Sequence, residues 1–91
     1  MIVARRFIVR GRVQGVGFRY FAVRAAQSAG VVGTVRNLPD GTVEAIAEGS
    51  PQAVADFRRE LERGPSYAHV NRVDEIGMRA TGRYCRFDVV Y

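Results

Sequence analysis

The stretch Phe7-Ile8-Val9-Arg10-Gly11-Arg12-Val13-Gln14-Gly15-Val16-Gly17-Phe18-Arg19-Tyr20-Phe21-Ala22 changes its periodicity part-way along. From Phe7 to Val13 the apolar side chains Phe7, Val9 and Val13 fall on odd positions while Arg10 and Arg12 fall on even ones, the alternation of a half-buried strand. Beyond it, Phe18, Ala22, Ala25 and Ala29 recur at helical spacing, and Gly30 follows as a residue suited to a left-handed helix cap. The stretch therefore predicts a strand, a short glycine-bearing loop and a helix in direct succession.

Working outward, Val31 to Asn37 and Thr42 to Glu48 are strand-like, and the Pro39-Asp40-Gly41 turn between them predicts a hairpin. Ser50 can cap a second helix whose first turn takes Pro51 and whose buried stripe is Val54, Phe57 and Leu61, ending at Gly64-Pro65. Val70 to Ile76, less regular in pattern, and Tyr84 to Val90 read as further strands joined through Gly77 and Gly82. The order strand, helix, strand, strand, helix, strand predicts an α+β fold. It is the ferredoxin-like split βαβ sandwich (βαββαβ), a mainly antiparallel sheet with both helices on one face. A right-handed crossover makes the first two strands parallel with the third between them, so the loop carrying Arg19 and the strand end carrying Asn37 should face one another.

The 91 residues, 47% of them hydrophobic, suffice for one modest core, so a single domain over residues 1–91 is expected. No apolar run approaches the roughly 18 residues of a membrane span, and Met1-Ile2-Val3-Ala4-Arg5-Arg6 lacks the pattern of a secretion signal. A soluble cytoplasmic protein with no membrane partner is the expectation. Cys85 is the only cysteine, which excludes an internal disulfide, and its alternation with Phe87 and Val89 places it on the apolar face of the last strand. With no lysine and with His69 the single histidine, Schiff-base chemistry, a Walker A loop and an HExxH zinc site all drop out. The net charge of +5 arises from 14 arginines against nine carboxylates and favours anionic partners without choosing among them.

Gly15 and Gly17 let a ligand approach the main chain, and N–H groups converging at a helix N-terminus favour a phosphate. Arg19, in the first turn, would add a planar fork of charged donors, and a cation there opposes the helix dipole unless an anion is bound. Spacing alone is equally consistent with a tight turn and an arginine in water.

Gly11-Arg12-Val13-Gln14-Gly15-Val16-Gly17-Phe18-Arg19 resembles one signature of the acylphosphatase family, and Gly33-Thr34-Val35-Arg36-Asn37-Leu38-Pro39-Asp40-Gly41-Thr42-Val43-Glu44 resembles the other. The length and element order agree throughout; Thr34 departs from the large aromatic residue often found there. The resemblance implies hydrolysis of acyl phosphates to a carboxylate and inorganic phosphate. It further implies Arg19 as the phosphate-binding arginine, Asn37 as the residue orienting water, and a backbone cradle from Gly15, Val16, Gly17, Phe18 and Arg19. Neither metal nor cofactor is implied, and the expected partner is a small acyl phosphate met by a monomer. The chemistry is consistent with this, because a good leaving group needs mainly positioning, charge stabilisation and an aimed water.

Two other readings share the layout. An RNA-binding module of the RRM type would need stacking aromatics on the central strands, whereas Phe18, Tyr20 and Phe21 lie in a loop and a helix turn and Thr42 to Glu48 has no aromatic residue, so no nucleic-acid partner is expected. The other is a non-catalytic or carrier-specific anion-binding domain, such as the acylphosphatase-like domain that accompanies larger carbamoyl-transfer proteins.

Overall fold

Alternation in the strands and apolar stripes on the helices resolve into one buried layer. In the computed structural model, which describes residues Met1–Tyr91, the elements are β1 (Val3–Arg12), α1 (Phe18–Ala29), β2 (Val32–Asn37), β3 (Val43–Gly49), α2 (Pro51–Arg63), β4 (His69–Met78) and β5 (Phe87–Val89). The sheet order is β4-β1-β3-β2-β5. β3 runs antiparallel to both β1 and β2, so these two are parallel with their C-terminal ends on one side, as the crossover requires. β4 pairs antiparallel with β1, and β5 adds a parallel edge to β2. This is the ferredoxin-like α+β arrangement, extended by one short strand.

The core lies between the sheet and the two helices. Phe7, Val9, Val35 and Ala45 from the sheet meet Phe18 and Ala22 of α1 and Phe57 and Leu61 of α2, all in one buried cluster. Phe57 sets its ring edge-on to Phe7 at 6.1 Å and to Phe87 at 5.3 Å, joining β1 and β5 through α2. Truncating such a ring costs about 3–5 kcal/mol. The helix ends are set locally: α1 stops at Gly30, which adopts φ 85° and donates its N–H to Ala26, and α2 starts at Ser50, which accepts from the Ala53 N–H with Pro51 behind it. No helix is long and apolar enough to cross a membrane.

The opposite face of the sheet carries buried charge. Arg6 and Arg36 donate from Nε to Glu44 at 2.7 and 2.9 Å, and Glu48 accepts from the Thr81 N–H, the Thr81 hydroxyl and the Gly82 N–H at 2.9, 2.9 and 3.0 Å. The Glu48 contacts hold the segment that leads from β4 at one edge to β5 at the other, past the central strand. The crossing corrects one expectation: the last strand begins at Phe87, not Tyr84, and Cys85 is exposed in a bend instead of buried on an apolar face. Phe87 and Val89 keep the alternation, but the residues before them are used to cross the sheet. β4 is irregular because it is an edge strand on which only Val73 is buried.

Candidate active site

Helix α1 begins in a way that leaves its amide donors free. Its N-cap is Gly17, with φ 76° and ψ 19° and no side-chain cap, and Gly15 before it has φ 73°. Left-handed backbone at both positions is open to glycine and strained by about 1–2 kcal/mol per residue for other L residues. A side chain at either would project into open space, so it is the backbone conformation, not crowding, that calls for glycine. No main-chain N–H from Gly15 to Arg19 donates to another group of the protein. α2 shows the contrast: its first turn is served by the Ser50 hydroxyl.

The loop is held from both sides. The Phe18 side chain is buried in the core with its ring 5.8 Å from that of Phe21, and Val16 packs half-buried against the same core. From the other side, Gln14 Nε2 donates to the carbonyls of Leu38 and Thr42, each at 2.8 Å. The turn it grips is itself closed, since the Leu38 N–H donates to the Thr42 carbonyl at 2.9 Å and Asp40 Oδ1 accepts from the Thr42 N–H at 3.0 Å and its hydroxyl at 2.6 Å. Those contacts, the hydroxyl first, hold the Asp40 carboxyl below its ordinary pKa.

Between the loop and the end of β2 lies a cavity of about 190 Å³ lined by Val13, Gly15, Gly17, Phe18, Arg19, Tyr20 and Asn37. Arg19 and Asn37 thus meet in one cavity, as strand order predicts, and Val16 contributes no lining. Asn37, the last residue of β2, has a buried Oδ1 with no hydrogen-bond partner. A buried carbonyl oxygen without a donor costs about 1–3 kcal/mol, which a ligand or water donor would recover. Arg19 forms no ion pair in the protein, and the first turn of α1 holds no acidic residue to answer it. Its guanidinium instead lies over the Tyr91 ring, 5.4 Å from the centroid. Hollows of about 240 and 280 Å³ occur elsewhere, but their arginines are engaged: Arg5 and Arg58 with Glu75, and Arg59 with Asp56. Free amides, a free guanidinium and an orphaned carbonyl coincide only in the smaller cavity.

Residues 5–89 match the family model described as acylphosphatase. The chain belongs to the acylphosphatase family. Among its relatives, the acylphosphatase of a Nocardioides species is 54% identical over 79 residues, covering 81% of this chain and 80% of that one. The crystal structure of acylphosphatase from Bacillus subtilis superposes with a TM-score of 0.93 at 38% identity, over 100% of both chains. Full-length HypF in its phosphate- and nucleotide-bound form contains a similar portion, with a TM-score of 0.87 at 28% identity, covering 100% of this chain and 12% of that one. Membership makes the protein an acylphosphatase-type hydrolase acting on acyl phosphates.

The departure at Thr34 lies away from this cavity. Strand alternation puts Thr34 on the face of β2 opposite Val35 and Asn37, and it is absent from the cavity lining. His69 is exposed at the start of β4 and takes no part in the cavity lining. Two features were beyond local reading: the grip of Gln14 on the hairpin and the Tyr91 ring on Arg19. Gln14 stands inside the first signature, which was the one available signal; Tyr91 gave none.

Proposed function

We propose that Arg19 and the main-chain N–H groups of residues 15 to 19 hold the phosphoryl group of an acyl phosphate while Asn37 aims the water that cleaves it. The observation that carries this reading is the buried, unpartnered Oδ1 of Asn37 in the same cavity as Arg19. An amide side chain is a poor base but a good orienter, since its carbonyl accepts from a water and its N–H groups can donate. Water oxygen then attacks phosphorus as the bond from phosphorus to the acyl oxygen breaks. The acyl group leaves as carboxylate, and the proton of the water passes to a phosphate oxygen. Free amides and the guanidinium stabilise charge on the equatorial oxygens, and no covalent nucleophile is required.

The same reading takes residues 1–91 as one domain, working as a monomer on a small soluble substrate in the cytoplasm without metal or cofactor. The test is hydrolysis of benzoyl phosphate by the purified protein in excess chelator. Sustained turnover, inhibited competitively by inorganic phosphate, is expected. Phosphate binding without turnover would instead favour a non-catalytic anion-binding domain. Activity that disappears with the chelator and returns with a divalent ion would overturn metal independence.

A further inference from the structure

Tyr20 has no structural task that accounts for it. Its side chain is 75% exposed, its ring pairs with no other ring or cation, and its hydroxyl makes no hydrogen bond within the protein. A single exposed tyrosine is ordinary. The place of this one is not, because Tyr20 directly follows Arg19 in the first turn of α1 and lines the cavity that Arg19, Gly15, Gly17 and Asn37 enclose. Helical side chains lean toward the N-terminus, which sets the Tyr20 ring over the loop end of α1.

In-line displacement places the leaving group opposite the entering water. With water held by Asn37 at the end of β2, the acyl group leaves on the side away from Asn37, where the lining comes from the loop and the first turn of α1. Gly15 and Gly17 there are exposed and present only backbone, and the Tyr91 ring is already stacked on Arg19. Tyr20 is the aromatic surface still free. We infer that Tyr20 is a specificity-determining residue whose ring packs against the acyl group, so that aromatic and bulky apolar acyl phosphates are preferred over small aliphatic ones. This rests on the phosphate site proposed above and adds to it the class of acyl group.

The ring contacts the acyl group in the ground state and the transition state alike, so its removal should act through KM. Steady-state constants for benzoyl phosphate and acetyl phosphate are to be compared in the unmodified protein, Tyr20→Ala and Tyr20→Phe. The ratio of kcat/KM for benzoyl over acetyl phosphate should fall about fivefold in Tyr20→Ala, the size of one ring-on-ring contact, with the change in KM. Tyr20→Phe, which keeps the ring, should keep the ratio. A ratio unchanged within about twofold in Tyr20→Ala, or lost equally in Tyr20→Phe, would overturn the role of the ring while leaving the phosphate site standing. If the unmodified protein hydrolyses neither compound, the phosphate-site reading falls and this inference with it.

Discussion

Gln14 Nε2 donates to the Leu38 carbonyl at 2.8 Å, and this bond ties the residue that opens the glycine loop to the residue that follows Asn37. The second proton of the same amide reaches the Thr42 carbonyl, also at 2.8 Å. One side chain therefore sets the separation of the two halves of the site.

Gln14→Leu removes both bonds at nearly constant size. Each carbonyl keeps one other partner, from the Gly41 and Leu38 N–H groups, so the loss of stability should be near 1 kcal/mol, about one ordinary hydrogen bond. The kinetic loss should be larger, about tenfold or more in kcat/KM, because misplacing loop against hairpin spoils the alignment of phosphate and water. Denaturant unfolding and steady-state kinetics on the same variant separate the two, and a variant that is less stable but fully active would show that the bridge serves the fold alone.

Glu48 makes acid stability depend on the crossing segment. Burial works to raise its pKa, but the N–H groups of Thr81 and Gly82 and the Thr81 hydroxyl outweigh it, leaving the carboxyl below its ordinary value of 4.5. A depressed folded-state pKa means that the stabilisation is complete above the unfolded value and is lost as pH falls through the lowered one. Glu48→Gln should thus be less stable than the parent at neutral pH by about 1–3 kcal/mol, and the gap should narrow as the pH falls below 4.5. Parallel unfolding curves across pH 7 to about 2 would argue against the link.

How much of this was legible in the residues follows from range. The loop between β1 and α1 is local: alternation stops, two glycines intervene and a helical stripe begins, so the positions of Gly15, Gly17 and Arg19 are legible in the sequence. The start of α2 at Ser50 and the helix stops at Gly30 and Gly64 are local in the same way. The meeting of Arg19 and Asn37 was legible one level up, because strand order and crossover hand bring the two strand ends together. Cys85 failed because alternation reports a strand only where the chain is free to pair, and its neighbours are committed to crossing the sheet near Glu48. The orphaned Oδ1 of Asn37 and the Tyr91 ring on Arg19 depend on atoms far apart in sequence, which no local period records.

Arg19→Ala should separate binding from folding. A cation at a helix N-terminus costs about 0.3–1 kcal/mol, and its stacking on Tyr91 returns a similar amount. The unfolding free energy should therefore stay within about 1 kcal/mol of the parent. Turnover should fall at least about 100-fold, as for loss of one preorganised donor, and competitive inhibition by inorganic phosphate should weaken with it. A variant that keeps its phosphate inhibition constant would remove Arg19 from the phosphate site.

Asn37→Ala bears on the central claim, that phosphate is gripped on the loop side of the cavity and water is aimed from the strand end. The deciding measurement is kcat for benzoyl phosphate together with the inhibition constant of inorganic phosphate in that one variant. The account predicts a fall in kcat of at least about 100-fold with phosphate inhibition kept within about threefold, since the amides and Arg19 are untouched. Near-normal turnover, or loss of phosphate binding on the same scale as the loss of turnover, would contradict it.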